Sequence, residues 1–340
     1  MIVAMRSDAT RADIERVVDT IAEHGLKAMS LPGGERVAIG IASAIPPDVR
    51  GPLTEVIEVL AGVDHVTQVS RAYKLASREF HPTDSTVEIK GVKIGAPTFT
   101  VAAGPCAIES RDQLMRAAEI VKKSGAKLLR GGAFKPRTSP YAFQGLGAEG
   151  LKLLKEAGDA TGLVTVTEIM DHHDADLIAE YADILQIGAR NMQNYSLLTA
   201  VGRMDMPVLL KRGPGASIDE WLLAAEYILY QGNGKVILCE RGIHPLDRTY
   251  TRYTLDILAI PVVKSISHLP VIVDPSHAAG NRAYVPSLCR AAAAAGADGL
   301  LVEIHPEPSK ALCDGPQALS LDTFESIMSD IRSLCHGKAV

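Results

Sequence analysis

Aromatic residues are scarce in this chain: 4% of positions are Phe, Trp or Tyr, and tryptophan occurs once. Proteins that grip single-stranded nucleic acid set aromatic platforms among cations, and no such interleaving occurs here. An excess of positive charge is missing too. The formal net charge is −5, the wrong sign for a face that neutralises a phosphate backbone. Five cysteines, scattered and odd in number, do not make a disulfide framework. No apolar run approaches the roughly 18 residues that span a bilayer. MIVAM at the N-terminus is cut by Arg6 and Asp8, too short for the h-region of a signal peptide. The expectation is a cytoplasmic protein with neither nucleic acid nor membrane as partner.

What remains is ordinary globular material. With 47% hydrophobic and 22% charged residues in 340, the chain can bury a large core and has room for two domains. The first seventy residues alternate as strand, helix, strand, strand, helix, strand. Thr10 is placed to cap a helix bearing Ile14, Val17, Val18 and Ile21 at helical spacing. KAMSL and RVAIGIA flank a Pro-Gly-Gly turn at 32–34, Leu53, Val56, Ile57 and Leu60 mark a second helix, and VTQVS reads as the last strand. That order is ferredoxin-like, and it suits a binding or regulatory module, because its charged residues are isolated. Residues 71–85 read as a linker, and 86–95 as a small hairpin.

From Thr98 onward eight apolar runs recur, each followed by a helix-forming segment: FTVAAG, AKLLRG, LVTVTE, DILQIG, PVLLKR, KVILCE, PVIVDP and DGLLVEI. Eight such units over about 240 residues predict a (β/α)₈ TIM barrel, so residues 86–340 are expected to form it, preceded by the ferredoxin-like α+β domain of residues 1–70. An open doubly wound sheet more often carries a glycine-rich nucleotide loop after its first strand, and none is present.

The barrel reading can be tested against chemistry, because catalytic groups in this fold sit where strands end. All eight runs end in ionisable or metal-capable residues: Cys106 and Glu109, then Arg130, Glu168, Arg190, Lys211 with Arg212, Glu240 with Arg241, Asp274 with His277, and Glu303 with His305. Six cations, Arg130, Lys135, Arg137, Arg190, Lys211 and Arg241, would converge on one mouth and repel unless anions bind there. Two phosphorylated or carboxylated substrates suit that number. Cys106, His277 and Glu303, with Asp314 on the loop beyond the eighth strand, make a mixed donor set for a borderline divalent metal. Cys239, Cys289 and Cys335 read as structural.

GPCAIES, LRGGAFKPRTSP, IGAR, LLKRG, CERG, DPSH, VEIHPEP and CDGPQ together resemble the 3-deoxy-D-arabino-heptulosonate 7-phosphate (DAHP) synthases of the type I-beta group. The resemblance implies a metal-dependent, aldol-type condensation of phosphoenolpyruvate with D-erythrose 4-phosphate and water, the first step of the shikimate pathway. It implies Cys106, His277, Glu303 and Asp314 as ligands of one divalent ion, Mn²⁺ foremost, with Fe²⁺, Co²⁺, Zn²⁺ or Cd²⁺ also fitting the set. Arg130, Lys135 and Lys211 would then face the phosphoenolpyruvate carboxylate. Ala189, Arg190 and Arg241 would hold its phosphate with Glu168 nearby, and Arg137 and Thr138 would hold the aldehyde's phosphate. A homotetramer is implied, as is an aromatic amino acid effector at the N-terminal domain. One departure is GPGAS at 213–217, where relatives carry a methionine-containing segment.

Two alternatives stand beside this. A 3-deoxy-D-manno-octulosonate 8-phosphate synthase would use arabinose 5-phosphate, but KPRTS at 135–139 favours the four-carbon aldehyde. A non-catalytic phosphosugar-binding regulator would not need four intact ligands. Lys135 is the expected proton donor to the nascent alkoxide, with a pKa lowered by the cations around it.

Overall fold

A computed structural model describes residues 1–31, 37–68, 72–137 and 139–335. The Pro-Gly-Gly turn at 32–34 and Thr138 lie outside the described residues. The chain divides into two compact units, residues 1–83 with 266–268, and 84–265 with 269–340.

In the first unit, β1 (Ile2–Met5), β2 (Ala28–Leu31), β3 (Ala38–Ile41) and β4 (Val63–Thr67) form an antiparallel sheet in the order β2-β3-β1-β4. Helices α1 (Arg11–Glu23) and α2 (Pro47–Glu58) complete the ferredoxin-like arrangement. Thr10 caps α1 in a capping box with Asp13, as its spacing predicts. Val17, Ile21, Leu53 and Ile57 are buried with Val3, Met5, Ile39 and Ile41, whereas Val18 and Val56 face outward. Residues 72–83, polar on average, bury Tyr73, Ala76 and Phe80.

The second unit begins with a hairpin, β5 (Val87–Ile89) and β6 (Val92–Ile94). Eight parallel strands follow: β7 (Thr100–Gly104), β8 (Leu128–Arg130), β9 (Val164–Ile169), β10 (Ile184–Ile187), β11 (Val208–Lys211), β12 (Val236–Glu240), β13 (Val271–Val273) and β14 (Gly299–Glu303). They close into a barrel through the β14–β7 pair. Around them lie α3 (Arg111–Lys123), α4 (Ala148–Thr161), α5 (Ala175–Ala179), α6 (Tyr195–Gly202), α7 (Ile218–Tyr230), α8 (Ala259–Ile266), α9 (Pro275–Ala279), α10 (Val285–Ala294) and α11 (Leu321–Leu334). No described helix is long and apolar enough to cross a membrane.

The barrel interior explains where the site must be. Val87 and Ile94 of the hairpin pack with Ala102, Leu128, Val164, Ile184, Leu209, Ile237, Ile272 and Leu301. These lie early in their strands, so the hairpin closes the end where the strands begin. Side chains alternate between the two faces of a strand. The next inward positions after this layer are therefore Arg130, Val166 and then Glu168, Gln186, Lys211, Cys239 and then Arg241, Asp274 and Glu303. An apolar floor gives way to a charged rim within two to four residues.

Closure depends on a residue without a side chain. A Cβ at Gly299 would lie 2.0 Å from the Thr100 carbonyl oxygen, across the pair that joins the last strand to the first. Gly299→Ala is expected to cost about 3 kcal/mol or more, because neither backbone can yield without opening the seam. The urea midpoint measures this, and an unchanged midpoint would mean that the seam tolerates a side chain.

Candidate functional site

The rim surrounds a cavity of about 310 Å³. Arg130, Lys135, Arg137, Arg190, Lys211 and Arg241 all line it, so six cations drawn from five different loops and strands meet at one mouth. Ala189 and Glu168 line it as well, as do His277 and Asp314. Three polar lining residues carried no signal in the sequence reading: Gln186 inside a strand, and Arg252 and Tyr253 on the long loop after β12. The Arg241 guanidinium lies over the Tyr253 ring, 4.2 Å from its centroid, a cation–π contact that aims the arginine.

The metal-capable residues converge from the segment after β7, from α9, from the end of β14 and from the loop beyond it. One donor atom from each of Cys106, His277, Glu303 and Asp314 lies within 4.8 Å of all the others. His277 Nε2 is 3.2 Å from Glu303 Oε1 and 3.9 Å from Asp314 Oδ2, and Cys106 Sγ is 3.4 Å from the same Asp314 oxygen. Two carboxylates and a thiol crowded around one imidazole are an arrangement that a bound cation stabilises. A thiol, an imidazole and two carboxylates are the donors a divalent transition ion takes, so the residues fit one. Asp314 adopts a left-handed backbone conformation, φ 52°, rare outside glycine.

A buried carboxylate joins the two halves of the site. Asp274 ends β13 and caps α9 by accepting from the His277 backbone N–H at 2.9 Å. Its Oδ2 accepts from the His277 ring Nδ1 at 2.6 Å and from the Lys211 ammonium at 2.5 Å. Burial opposes its charge, but the imidazole and the ammonium outweigh that and hold its pKa well below the usual carboxylate range. Nδ1 is thereby engaged, which leaves Nε2 aimed at the metal ligands. Burial lowers the His277 pKa more than Asp274 and Glu303 raise it, so the ring is neutral at pH 7, the form that ligates a metal. Burial likewise opposes the charge on Glu303, but His277 and Arg130 outweigh it and depress its pKa. Arg130 donates to it at 2.8 Å.

One expectation needs correction. Lys135 does not have a lowered pKa. Burial pulls it down, but Cys106 and Glu168 more than compensate, even against Arg130, and the net shift is upward. The surrounding acids were not visible as neighbours in the sequence. Arg212 and Glu240, which also end their strands, do not line the cavity. Each is one residue out of phase with an inward neighbour, Lys211 or Arg241, and they pair with each other at 3.1 Å while Arg212 also holds Asp256 at 2.8 Å. That pair anchors the loop that carries Arg252 and Tyr253, since Glu240 accepts from the backbone N–H of Gly242 and of Asp256.

Cys313 was given no role, yet its sulfur lies 3.3 Å from that of Cys106, and Arg137 donates to it. The hydrogen bond between the thiols, together with burial and Glu303, pushes Cys106 up, while the same hydrogen bond lowers Cys313. Glu109 and His305 sit just outside the ligands. Glu307 N–H donates to His305 Nδ1 at 3.0 Å, so Nε2 carries the ring proton and donates to Glu109 Oε2 at 3.3 Å. The other oxygen of Glu109 accepts from the Leu312 N–H at 2.8 Å, two residues before Asp314. Glu109→Ala is expected to weaken divalent-ion affinity about tenfold, because this latch fixes the loop that presents Asp314. Glu109→Gln keeps an acceptor for Leu312 and should recover part of the loss. Calorimetric titration with Mn²⁺ measures both, and affinities within twofold of the parent would remove the latch from the account.

Comparison with known proteins agrees with this geometry. The DAHP synthetase I family model matches residues 77–336, and a DAHP synthase ferredoxin-like domain model matches residues 1–71. The chain is 48% identical over 340 residues to the phospho-2-dehydro-3-deoxyheptonate aldolase of Thermotoga maritima, covering 100% of this chain and 99% of that one. The crystal structure of the Thermotoga enzyme superimposes with a TM-score of 0.78 at 47% identity over 100% of this chain and 99% of that one. A 2-dehydro-3-deoxyphosphooctonate aldolase of Syntrophobacter fumaroxidans is more distant, 33% identical over 72% of this chain and 90% of its own length. A closed barrel with this mouth, this donor set and matches running from end to end means that the chain belongs to the DAHP synthetase I family and carries that family's ferredoxin-like domain ahead of its barrel.

Proposed function

We propose that this chain condenses phosphoenolpyruvate with D-erythrose 4-phosphate and water to give DAHP and inorganic phosphate, opening the shikimate route to aromatic amino acids. The observation that carries this reading is the meeting, at one barrel mouth, of a four-donor metal set and a ring of six cations. Two anionic substrates repel each other in water, and a cation-lined pocket removes that repulsion while fixing their mutual orientation.

In this reading Arg190 and Arg241 fork onto the phosphate of phosphoenolpyruvate beside Ala189, and Arg130, Lys135 and Lys211 neutralise its carboxylate. Arg137 and Thr138 take the phosphate of the aldehyde substrate. Cys106, His277, Glu303 and Asp314 would hold one divalent ion, Mn²⁺ in the first instance, which supplies Lewis acidity toward the aldehyde oxygen when bound. Lys135, whose Nζ donates to the Cys106 carbonyl at 3.1 Å, stands beside those ligands and carries its proton at pH 7. It gives that proton to the alkoxide as the new carbon–carbon bond forms.

We assign residues 1–70 to a regulatory domain, 71–85 to a linker, and 86–340 to the catalytic barrel with its N-terminal hairpin. The ferredoxin-like domain supports feedback control by an aromatic amino acid. A homotetramer in the cytoplasm completes the reading.

Phosphate release from phosphoenolpyruvate, measured with erythrose 4-phosphate or arabinose 5-phosphate, tests the assignment. Release is expected with the four-carbon sugar alone, to vanish with chelator, and to return with Mn²⁺. Release confined to the five-carbon sugar would hand the chain to the octulosonate reaction instead. No release with either sugar, Mn²⁺ present, would leave a phosphosugar-binding relic. Lys135→Met is expected to lose about 10²-fold or more in turnover while binding Mn²⁺ within about threefold of the parent; normal turnover would remove Lys135 from the chemistry.

A further inference from the structure

Among the described residues, Gln186 is the one uncharged polar side chain of the inward strand layer at the cavity wall that neither the metal set nor the cation ring uses. It is 1% exposed. It follows the floor residue Ile184 by two positions on β10, so strand alternation turns it inward. Its register partner on β9 is Glu168, and its amide Nε2 donates to Glu168 Oε2 at 3.3 Å. The orientation follows from the partner: a carboxylate oxygen accepts, so the NH₂ must face it. The amide oxygen is then left over, and among the described residues it has no hydrogen-bond partner. Gly188, the next inward position, leaves the space that Glu168 occupies, since a Cβ there would lie 2.0 Å from Glu168 Oε1.

A buried amide oxygen without a donor is rare in a native structure and calls for a partner. Lys211 donates to Asp274 and Arg130 to Glu303, and the Arg130 Nε, itself without a partner among the described residues, makes no hydrogen bond to this oxygen. Phosphoenolpyruvate brings a carboxylate and an ionised phosphate, which are acceptors. The missing donor is therefore a water or a hydroxyl of the aldehyde substrate. Topology favours the water. In the closed order of eight strands, β9 and β10 stand diametrically across from β13 and β14, the strands that supply His277 and Glu303. The aldehyde is held on the metal side, so Gln186 and Glu168 form the far wall.

We propose that Gln186 and Glu168 together hold the water that adds to C2 of phosphoenolpyruvate, with Gln186 as the residue that orients it. Two acceptors, the amide oxygen and the carboxylate, take the water's two hydrogens and turn a lone pair toward C2. A small rotation of the amide brings its oxygen to that water. The electrons and protons balance as follows. The C2–C3 π pair forms the bond to the aldehyde carbon, and the carbonyl pair moves to oxygen, which takes a proton from Lys135. A water lone pair forms the new C2–O bond, and one water proton passes to Glu168. The bond from C2 to the phosphate oxygen then breaks, its pair leaving with inorganic phosphate, which takes the remaining hydroxyl proton as the ketone forms.

This inference rests on the condensation reading, and the experiment separates the two. Gln186→Leu keeps the volume and removes both polar atoms; Gln186→Met serves in its place if the leucine variant fails to fold. Turnover is expected to fall about 10²-fold, the cost of a misoriented nucleophile, with the KM for phosphoenolpyruvate and the Mn²⁺ affinity within threefold of the parent. The solvent deuterium isotope effect on kcat should rise, because addition of water becomes rate-limiting. Joined to Glu168→Gln, the loss should not exceed that of the worse single variant, since both residues act on one water. Turnover within threefold of the parent would overturn the proposal. So would a raised KM at unchanged kcat, an unchanged isotope effect, or losses that simply multiply. If the parent chain releases no phosphate with either sugar, the condensation reading itself has failed.

Discussion

Strand parity decides what this molecule can do. Within a strand, a side chain turns into the barrel mouth only if it lies an even number of residues beyond an inward core residue, and the register of eight closed strands leaves no freedom to slip. Leu209 on the floor commits Lys211 to the cavity, and Leu128 commits Arg130. The same rule sends Arg212 outward to Glu240, although it stands next to Lys211 in sequence. Apolar burial, which is the main term in stability, therefore also fixes which charges meet.

Gathering those charges creates an electrostatic problem that the fold solves by pairing across the divide. On one side four metal-capable donors crowd together, and on the other six cations do. Asp274 and Glu303 each touch both groups: Asp274 binds His277 and Lys211, and Glu303 faces His277 and Arg130. Their depressed pKa values record how far Lys211, Arg130 and the His277 ring offset the penalty of burial. A buried ion pair of this kind does little for net stability. What it does is hold both halves in one geometry, so that a change in one is felt in the other.

The sequence was informative wherever chemistry follows from chain order. Eight apolar runs ending in ionisable groups were enough to foresee a barrel and its mouth, and Thr10 ahead of Ile14, Val17, Val18 and Ile21 was enough to foresee a capped helix. It was less informative where the outcome depends on neighbours distant in the chain. Lys135 was judged by the cations beside it in sequence, but Cys106 and Glu168, 29 positions before it and 33 after, set the direction of its shift. Arg252 and Tyr253 sit on a loop with no periodicity to mark them. Gln186 has no charge, and inside DILQIG it reads as one more strand residue. Only the register with Glu168 gives it meaning.

The upward shift at Lys135 bears on how the reaction can run. A lysine with a lowered pKa would lose its proton near neutral pH and serve as a base. With acids around it, Lys135 keeps the proton until a stronger base appears next to it, and an alkoxide formed at the aldehyde carbon is such a base. The same ammonium can first neutralise a carboxylate, so binding and proton donation need not compete; they are successive uses of one charge. In the proposed reaction, proton donation by Lys135 has its counterpart in proton acceptance at Glu168. The condensation consumes one proton where the carbon–carbon bond forms and releases one where water adds. A barrel mouth that seats Lys135 on the loop after β8 and Glu168 on β9 brings both groups to one cavity.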